Sequence, residues 1–342
     1  MDTNRNPLPY LDEIVCTFAG SADAEAIQFD AGETDIVSRL SAADFMLLQK
    51  DEKRRHFHLY DLGPGLEYTF LFFNENALPT GSAPWMTVAQ SWFRQDSFRK
   101  AISSSINRSD IVRLAYRNKA LPLSTPVTPG NKLWIDNRIP APEHSLPEAR
   151  ELLAKCGFSW TPGGILEDSK GHEVGFSILV NAANQQHVQM ATLIQQDLKS
   201  LGIKVRLEQM ELRTMLNRIV TTSNYEAAIL ALADGDADPN SELNVLSSTG
   251  SAHFWRLKSG GSVEAWQREV DQLMQEQLSA PTYEIRKRLY DRVQALTWEH
   301  VPAIYLVSPH VLVGARDNVG NFRPVTLANY TLWNAEQLFL RY

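Results

Sequence analysis

One stretch of the sequence alternates between strand and helix patterns and limits the possible folds most strongly. Short apolar runs at residues 174–181, 203–209 and 225–233 have the length of buried strands. Between them, residues 187–200 and 212–221 carry apolar side chains at helical spacing. This βαβαβ pattern with short connections predicts an α/β lobe. In open α/β sheets, ligands bind beyond the carboxyl ends of the strands, so the loops after these strands are candidate sites.

A second stretch, residues 91–130, changes from helical to extended character. Its first helix is predicted to begin at an N-cap formed by Asp96, and a second helical turn at a cap formed by Ser109 and Asp110. An extended crossing is predicted to follow because proline cannot continue a helix, and three prolines occur here, at Pro122, Pro126 and Pro129.

The order of these motifs resembles the signature of the family 5 extracellular solute-binding proteins, the peptide- and dipeptide-binding subunits of ABC importers. The family pattern of an Arg-x-Ala-Ile helix, an Ala-Ile-Asp-Arg turn and an Ile-Val helix is similar to residues 99–102 (RKAI), 105–108 (SINR) and 111–112 (IV). Asn107 replaces the usual aspartate of that turn. Further family motifs are matched at residues 32–37 (GETDIV), 73–74 (FN), 146–158 (LPEARELLAKCGF), 322–324 (FRP) and 333–334 (WN).

The resemblance implies a two-lobe α/β fold of the periplasmic-binding-protein type (type II, family 5 cluster). It assigns residues 1–80 to a partial lobe I and residues 81–305 to a complete α/β lobe II. Residues 306–342 would form a C-terminal segment that returns to lobe I. A hinge between the lobes is expected near residues 74–84 and 307–309, where lobe closure would capture a solute.

The N-terminal part of the chain is shorter than the resemblance leads us to expect. Family members normally start with a signal sequence and a long N-terminal portion, whereas the opening residues MDTNRNPLPYLDEIV lack the apolar core of a signal peptide. A strand is expected at residues 11–18. We therefore expect a chain truncated at its N-terminus, with lobe I incomplete.

Composition narrows the choice of partners. A net charge of −7 argues against nucleic acid, which usually binds basic surfaces. The resemblance implies capture of oligopeptides or a related small solute for import, with the membrane permease subunits of an ABC transporter as partners. It also implies a monomer in the periplasm or another extracytoplasmic space. Two alternatives stay open: a solute-sensing regulatory module, and a remnant that no longer binds.

The sequence lacks the common motifs of catalytic sites. The sequence has no Gly-x-Ser-x-Gly nucleophile elbow and no glycine-rich cofactor loop between a strand and a helix. His56 and His58 would point to one side of a strand, but no third metal ligand lies close in the sequence. We expect no enzymatic activity, no cofactor and no metal.

An acidic loop follows the last strand of the βαβαβ pattern. In the peptide-binding branch of the family, an aspartate three positions before an Asp-Pro pair binds the peptide's α-ammonium group. Here the pair is Asp238 and Pro239, and Gly235 occupies that position, so the resemblance leaves the role to Asp234 or Asp236. The alternative is an acidic turn whose side chains cap backbone N–H groups. A calcium loop is disfavoured because Pro239 stands where such loops need glycine.

Four further residues complete the predicted ligand site. Asn181 stands where the dipeptide branch commonly has an arginine for the substrate's carboxylate, which favours longer peptides or an uncharged solute such as a sugar. His253 and Trp255 belong to a loop of the type that lines solute pockets. Trp255 could equally pack the lobe, and a histidine such as His253 is more often a hydrogen-bonded structural residue. Asn74 closes the Phe-Asn pair at the exit from lobe I.

Overall fold

The computed structural model describes residues 7–257, 263–327 and 329–341. The helices are α1 (Ala22–Ala31), α2 (Ala42–Leu48), α3 (Pro84–Phe93), α4 (Asp96–Ser105), α5 (Arg108–Asp110), α6 (Leu146–Lys155), α7 (Gln185–Lys199), α8 (Leu212–Leu216), α9 (Leu243–Leu246), α10 (Ala265–Ser279) and α11 (Tyr283–His300). The strands are β1 (Ile36–Val37), β2 (Phe57–Pro64), β3 (Glu67–Phe73), β4 (Ala120–Pro122), β5 (Ser159–Trp160), β6 (Leu166–Glu167), β7 (Gly175–Asn181), β8 (Lys204–Met210), β9 (Ala227–Ala233), β10 (Ile304–Arg316), β11 (Val319–Gly320) and β12 (Phe339–Leu340). Within these ranges no helix combines the length and the apolar character needed to cross a membrane.

The predicted βαβαβ unit is confirmed. Strand β7 pairs in parallel with β8 on one side and with β9 on the other, and helices α7 and α8 make the connections. After α8 the chain continues as a π-helical segment, Asn217–Thr222, before it enters β9. The carboxyl ends of β7 and β9 therefore lie at one edge of the sheet.

The sheet continues beyond this unit through strands from both ends of the chain. Its order is β1-β10-β3-β9-β7-β8, and β3 pairs with β9 along its whole length, from Glu67 opposite Ala233 to Phe73 opposite Ala227. Strand β3 is thus a central strand of the sheet that contains β9. The boundary expected at residue 80 would instead assign β3 to the other lobe.

Strand β10 joins the two parts of the molecule. Its first half pairs with β3 and β4, and its second half pairs with β2 and β1. It is one continuous strand, with register shifts between Tyr305 and Val307 and between His310 and Leu312. Pro309 lies between these irregularities, where a residue without an N–H group can be accommodated in a strand.

Three apolar clusters define two lobes. Side chains of β3 alternate between the faces of the sheet: Leu71 and Phe73 pack with α3, α4, α6 and α7, whereas Phe70 and Phe72 pack with α10 and α11. These two clusters form the core of what we call the large lobe. A separate cluster around Phe29 joins α1, α2, β1, β2 and the second half of β10, and we call this part the small lobe.

The expected strand at residues 11–18 is wrong. These residues have no regular structure, and Val15 and Phe18 are 73% and 95% exposed. A strand needs a neighbour to satisfy its backbone groups, and no strand of the described ranges pairs with this segment.

Two predicted helix caps are corrected by the structure. Asp96 is the first residue of α4 and not its cap, because its carboxylate binds Arg99 and His300. The cap of α5 is Asn107, whose side chain accepts a hydrogen bond from the backbone N–H of Asp110 at 3.1 Å, not Ser109. The amide oxygen of Asn107 therefore performs this capping without the carboxylate that is usual in the motif.

Arg99 explains why an arginine stands at the start of the Arg-x-Ala-Ile motif. Its side chain is 2% exposed and donates to the carbonyl oxygens of Phe93, His300 and Val301 at 2.6–2.9 Å. It also binds the carboxylates of Asp96 and Glu75 at 2.6 and 3.2 Å. The guanidinium thereby ties the end of α11 to the start of α4, satisfying carbonyl groups that the end of a helix leaves open.

Glu226 is a buried carboxyl group directly before β9. It is 3% exposed, and it accepts one hydrogen bond from the hydroxyl of Ser177 at 2.8 Å. Burial raises the pKa of Glu226 from its ordinary 4.5 to about 7, more than the Ser177 bond and Arg206 lower it. The folded chain therefore holds this proton more tightly than the unfolded chain does.

A pH dependence of stability follows from Glu226. The stability that its proton supplies is complete below pH 4.5 and is lost as the pH rises through about 7. We expect Glu226→Gln to raise the free energy of unfolding at pH 8 by about 1–2 kcal/mol, since the cost of burying the amide N–H groups offsets part of the gain. Urea unfolding at pH 5 and pH 8 measures this, and a variant that is no more stable than the wild type at pH 8 contradicts it.

Candidate functional site

A cleft of about 700 Å³ separates the small lobe from the large lobe where β10 crosses between them. The small lobe supplies the starts of α1 and α2 and the loop before α2, and the large lobe supplies residues 115–119 and the start of α7. The polar and charged lining residues are Ser21, Asp23, Ser38, Arg39, Ser41, Glu67, Tyr116, Arg117, Lys119, Asn181, Asn184, Gln185, Gln186, Gln189, His310 and Tyr330. We call this space the interlobe cleft.

The large-lobe wall is built by the turn between β7 and α7. Asn181 ends β7, and its side chain accepts a hydrogen bond from the backbone N–H of Ala183 at 3.2 Å. Asn184 then caps α7 by accepting from the backbone N–H of His187 at 3.0 Å. These two Asx interactions turn the chain sharply, so that the first turn of α7 faces the cleft.

Three polar side chains of this wall have no partner within the part of the chain that the structure describes. Gln186 and Gln189 lie about one turn apart on α7, and Arg117 lies on the same wall in the segment before β4. None of them makes a hydrogen bond or ion pair with another described residue. Their donors and acceptors are available to a ligand in the cleft.

Charge in the cleft is partly neutralised by local pairs. Arg39 binds Glu67, which raises the pKa of the guanidinium. Lys119 and His310 both bind Asp61 at 2.8 Å. Partial burial alone would raise the pKa of Asp61, but hydrogen bonds from Lys119, the Gly63 N–H and His310 outweigh it, and the pKa is lowered. The cleft is therefore polar, with Arg117 as a cation that no carboxylate of the described residues neutralises.

The acidic loop begins at the same edge of the sheet. The backbone N–H of Asp234 donates to the carbonyl oxygen of Leu66 at 3.3 Å. Leu66 directly precedes Glu67, which lines the cleft. Asp236 is exposed and accepts from the backbone N–H of Asp238 at 2.6 Å. Asp238 binds Arg286 with both carboxylate oxygens, at 2.8 and 2.9 Å, and caps a 3₁₀ turn. The loop thus shows the Asx capping expected of an acidic turn, and Asp238 is occupied by Arg286.

Asp234 faces a second carboxyl group. Glu242 is 1% exposed and accepts a hydrogen bond from the Tyr68 hydroxyl at 3.0 Å. Burial raises the pKa of both carboxyl groups, and the facing Asp234 raises the pKa of Glu242 further. Glu242 therefore keeps its proton to higher pH than an ordinary glutamate, and Asp236 is the member of the loop with an exposed carboxylate.

Three of the predicted site residues lie elsewhere. Asn74 is fully buried and donates to the carbonyl oxygens of Ser223 and Tyr225 at 2.9 and 2.8 Å. His253 donates from Nδ1 to the carbonyl of Val245 at 2.8 Å, and burial lowers its pKa to about 4, so the ring is neutral. Trp255 is 2% exposed, and its carbonyl accepts from the Glu75 N–H at 2.8 Å.

The register of β3 separates these three residues from the cleft. Glu67 at one end of β3 lines the cleft. Phe73 at the other end leads into residues 74–76, where the Glu75 N–H donates to the carbonyl of Trp255 at 2.8 Å and the Asn76 side chain donates to the carbonyl of Phe254 at 3.4 Å. A strand of this length spans about 20 Å. Asn181 and the acidic loop are therefore brought to the cleft edge of the sheet, while Asn74, His253 and Trp255 are placed at the opposite edge.

Several cleft residues were not anticipated from the sequence. Gln186 and Gln189 belong to a helix recognised only as a crossover, and Arg39 and Tyr330 come from segments that have no motif of their own. A usable signal existed for the two glutamines: Asn184 is a typical helix cap directly after a strand, which places the following helical turn at the ligand-binding edge. No comparable pattern marks Arg39 or Tyr330.

Comparison with known proteins gives a consistent result. Residues 4–254 match the model of the family described as bacterial extracellular solute-binding proteins, family 5 Middle. A probable ABC transporter-binding protein of Deinococcus radiodurans is 28% identical over 243 residues, covering 68% of this chain and 40% of that protein. The oligopeptide-binding protein AppA of Bacillus subtilis is 20% identical over 318 residues, covering 92% of this chain and 54% of that protein.

Solved structures share the fold. AppA of Bacillus subtilis in complex with a nonapeptide has a TM-score of 0.75 at 20% identity, covering 94% of this chain and 59% of that chain. The periplasmic binding protein MelB of Agrobacterium fabrum in complex with stachyose has a TM-score of 0.82 at 18% identity, covering 98% and 52%. The chain thus spans about half the length of the relatives it matches.

Proposed function

The chain belongs to the bacterial extracellular solute-binding proteins of family 5, and we propose that it captures a polar, peptide-like solute in the interlobe cleft. It would do so as the substrate-binding component of an ABC transporter. The observation that carries this proposal is the pair of polar walls, one from each lobe, with Gln186, Gln189 and Arg117 free to bind a ligand. Binding without chemistry is the proposed role, in keeping with the binding proteins among its relatives.

The peptide-like character of the solute is supported by the chemistry of the cleft. Amide side chains such as Gln186, Gln189 and Asn181 both donate and accept, which suits the main-chain N–H and C=O groups of a peptide. AppA was solved with a nonapeptide, and MelB with a sugar, stachyose. An oligosaccharide is therefore the second solute class to test, because its hydroxyl groups would use the same amides.

Lobe movement is part of the proposal. Residues 1–80 and 306–342 would form the partial first lobe and residues 81–305 the second, with β3 packed into the sheet of the second lobe. Hinge motion near residues 74–84 and 307–309 would close the cleft, and the register shifts of β10 on either side of Pro309 support a bend at this point.

The proposed setting is a monomer in an extracytoplasmic space that delivers its solute to membrane permease subunits.

Two other roles are outcomes of the same tests. A solute-sensing regulatory module would bind its ligand in the same cleft but would not engage a permease. A remnant of a solute-binding protein would fold but would bind neither peptides nor sugars.

We also propose that Asp236, whose carboxylate is exposed in the acidic loop, binds the α-ammonium group of a peptide. We expect Asp236→Asn to weaken binding of peptides with a free amino terminus by about 1.5–3 kcal/mol, because a charge-assisted hydrogen bond to the ammonium group is lost. Titration calorimetry with a peptide and its N-acetylated form measures the difference. Equal losses for the two forms, or no loss for either, would show that the loop is only a turn.

Calorimetric titration of the chain with short peptides and short oligosaccharides tests the proposed function. We expect saturable binding of peptides, weakened two- to tenfold by Gln189→Ala, since one neutral hydrogen bond contributes about 0.5–1.5 kcal/mol. Gln196→Ala is the matched control, because Gln196 is an exposed residue of the same helix outside the cleft. Absence of saturable binding to both solute classes, or equal losses in the two variants, would contradict the proposal.

A further inference from the structure

A second cavity of about 510 Å³ lies on the large lobe, between α4, the start of α6 and the end of α11. It shares no lining residue with the interlobe cleft. Lys100, Ser104 and Arg108 line one side, and the segment of residues 140–143 lines the other. The cavity is therefore a separate space that solute capture in the interlobe cleft does not use.

Arg108 is the unusual group in this cavity. It is 4% exposed, and its guanidinium donates to the carbonyl of Tyr305 at 2.8 Å, the carbonyl of Ser103 at 2.9 Å and the hydroxyl of Ser103 at 2.9 Å. All three acceptors are neutral, and no carboxylate of the described residues forms an ion pair with it. Burial lowers the pKa of Arg108 to about 10, so the group is still a cation at neutral pH.

A buried cation without a counter-ion favours an anionic ligand. An arginine has five N–H donors, and Arg108 uses three of them on neutral acceptors, which leaves two for a ligand. A carboxylate matches the planar fork of a guanidinium, and the interaction strengthens in a site that excludes water. The other cation at the cavity is Lys100, on the same helix as Ser103 and Ser104.

The remaining walls restrict the kind of anion. Leu152, Trp298, Val301 and Ala303 give an apolar surface, and Trp298 is 43% exposed. Glu143, Glu148 and Glu299 lie at the same cavity, and their carboxylates repel an anion in proportion to its charge, so they disfavour a dianion more than a monoanion. The lining thus suits a single carboxylate attached to an apolar body.

We propose that this cavity binds a monocarboxylate with an apolar body, its carboxylate on Arg108 and its apolar part against Trp298. Such a carboxylate could belong to a small free acid or to the C-terminus of a peptide with an apolar last residue. Both sources present the same chemistry, and the test separates them.

The probe for a small acid is phenylacetate, with the uncharged phenylacetamide as its control. The probe for a peptide terminus is an N-acetylated peptide that ends in leucine, with its C-terminal amide as the control. Titration is followed by the NMR signal of the Trp298 indole N–H, assigned with Trp298→Phe. We expect saturable shifts with at least one of the two carboxylates and none with either amide. Saturation by only one of them identifies the source.

Variants connect binding to the proposed groups. Titration calorimetry measures the variants, because Trp298→Ala lacks the indole signal. We expect Trp298→Ala to weaken carboxylate binding about tenfold, and Arg108→Gln to abolish it if circular dichroism shows the variant to be folded. Because Trp298 is partly exposed, its replacement tests the site even if Arg108→Gln does not fold. Arg113→Gln is the matched control, since Arg113 is an exposed arginine of the following segment that pairs with Asp110.

The proposal is overturned if neither carboxylate gives a saturable shift, if the amides bind as well as the acids, or if Trp298→Ala binds as tightly as the wild type. None of these results depends on the interlobe cleft, so the outcome is independent of the proposed function.

Discussion

Replacement of Arg99 by methionine is expected to lower the free energy of unfolding by about 3–5 kcal/mol. The methionine keeps most of the apolar length of the side chain but removes the donors that satisfy the carbonyl oxygens of His300 and Val301. It also leaves Glu75, which is 6% exposed, without its cation. Burial already raises the pKa of Glu75 to about 7, more than Arg99 lowers it, and the pKa should rise further in the variant.

Urea unfolding at pH 7 measures this loss, with Arg113→Met as the matched control. Arg113 is exposed and forms a surface ion pair with Asp110, so we expect its replacement to cost less than about 1 kcal/mol. The double variant Arg99→Met with Glu75→Gln should recover part of the stability, because an amide is neutral without the proton that a buried Glu75 has to take up at pH 7. If Arg99→Met and Arg113→Met cost the same, Arg99 does not hold α4 and α11 together.

Ala183→Trp is expected to weaken peptide binding at least 100-fold, or about 3 kcal/mol. Ala183 is exposed in the turn between β7 and α7 and lines the interlobe cleft. An indole at this position would occupy much of the space between the two walls and would prevent the small lobe from closing. Because the side chain points from an exposed position into open space, the fold itself should be preserved.

The control for this variant is Ala154→Trp, an exposed alanine on α6 that lines none of the cavities described above. We expect it to bind peptides as the wild type does, and both variants to unfold at the wild-type urea concentration. Tight binding by a folded Ala183→Trp variant would mean that the ligand is held somewhere other than the interlobe cleft.

Much of the large lobe could be predicted from the sequence because its signals are local. These signals are apolar runs of strand length, capping residues such as Ser145, and glycines past a helix end such as Gly157. Each can be recognised from residues that are close in the sequence. The same reasoning failed at residues 11–18, where the apolar pattern of a strand is present but the partner strand that would stabilise it is not among the described residues.

The residues of the interlobe cleft were harder to predict, because their position depends on how β3 pairs with β9. Asn181 could be placed at the ligand-binding edge because it ends a strand of the βαβαβ unit. Asn74 and Trp255 could not be assigned to an edge, because the antiparallel insertion of β3 beside β9 decides which end of β3 faces the cleft. Sequence periodicity gives the faces of a strand but not the direction in which its neighbour runs.

Hydrogen exchange of the chain with and without a short peptide tests the central claim most directly. If the solute is captured between the lobes, the peptide should slow exchange on both walls of the interlobe cleft, in residues 38–43 of the small lobe and residues 181–189 of the large lobe. The loop of His253 and Trp255, at the opposite edge of the sheet, should be unchanged. Protection confined to one wall, or protection only around Trp255, would contradict capture in the interlobe cleft.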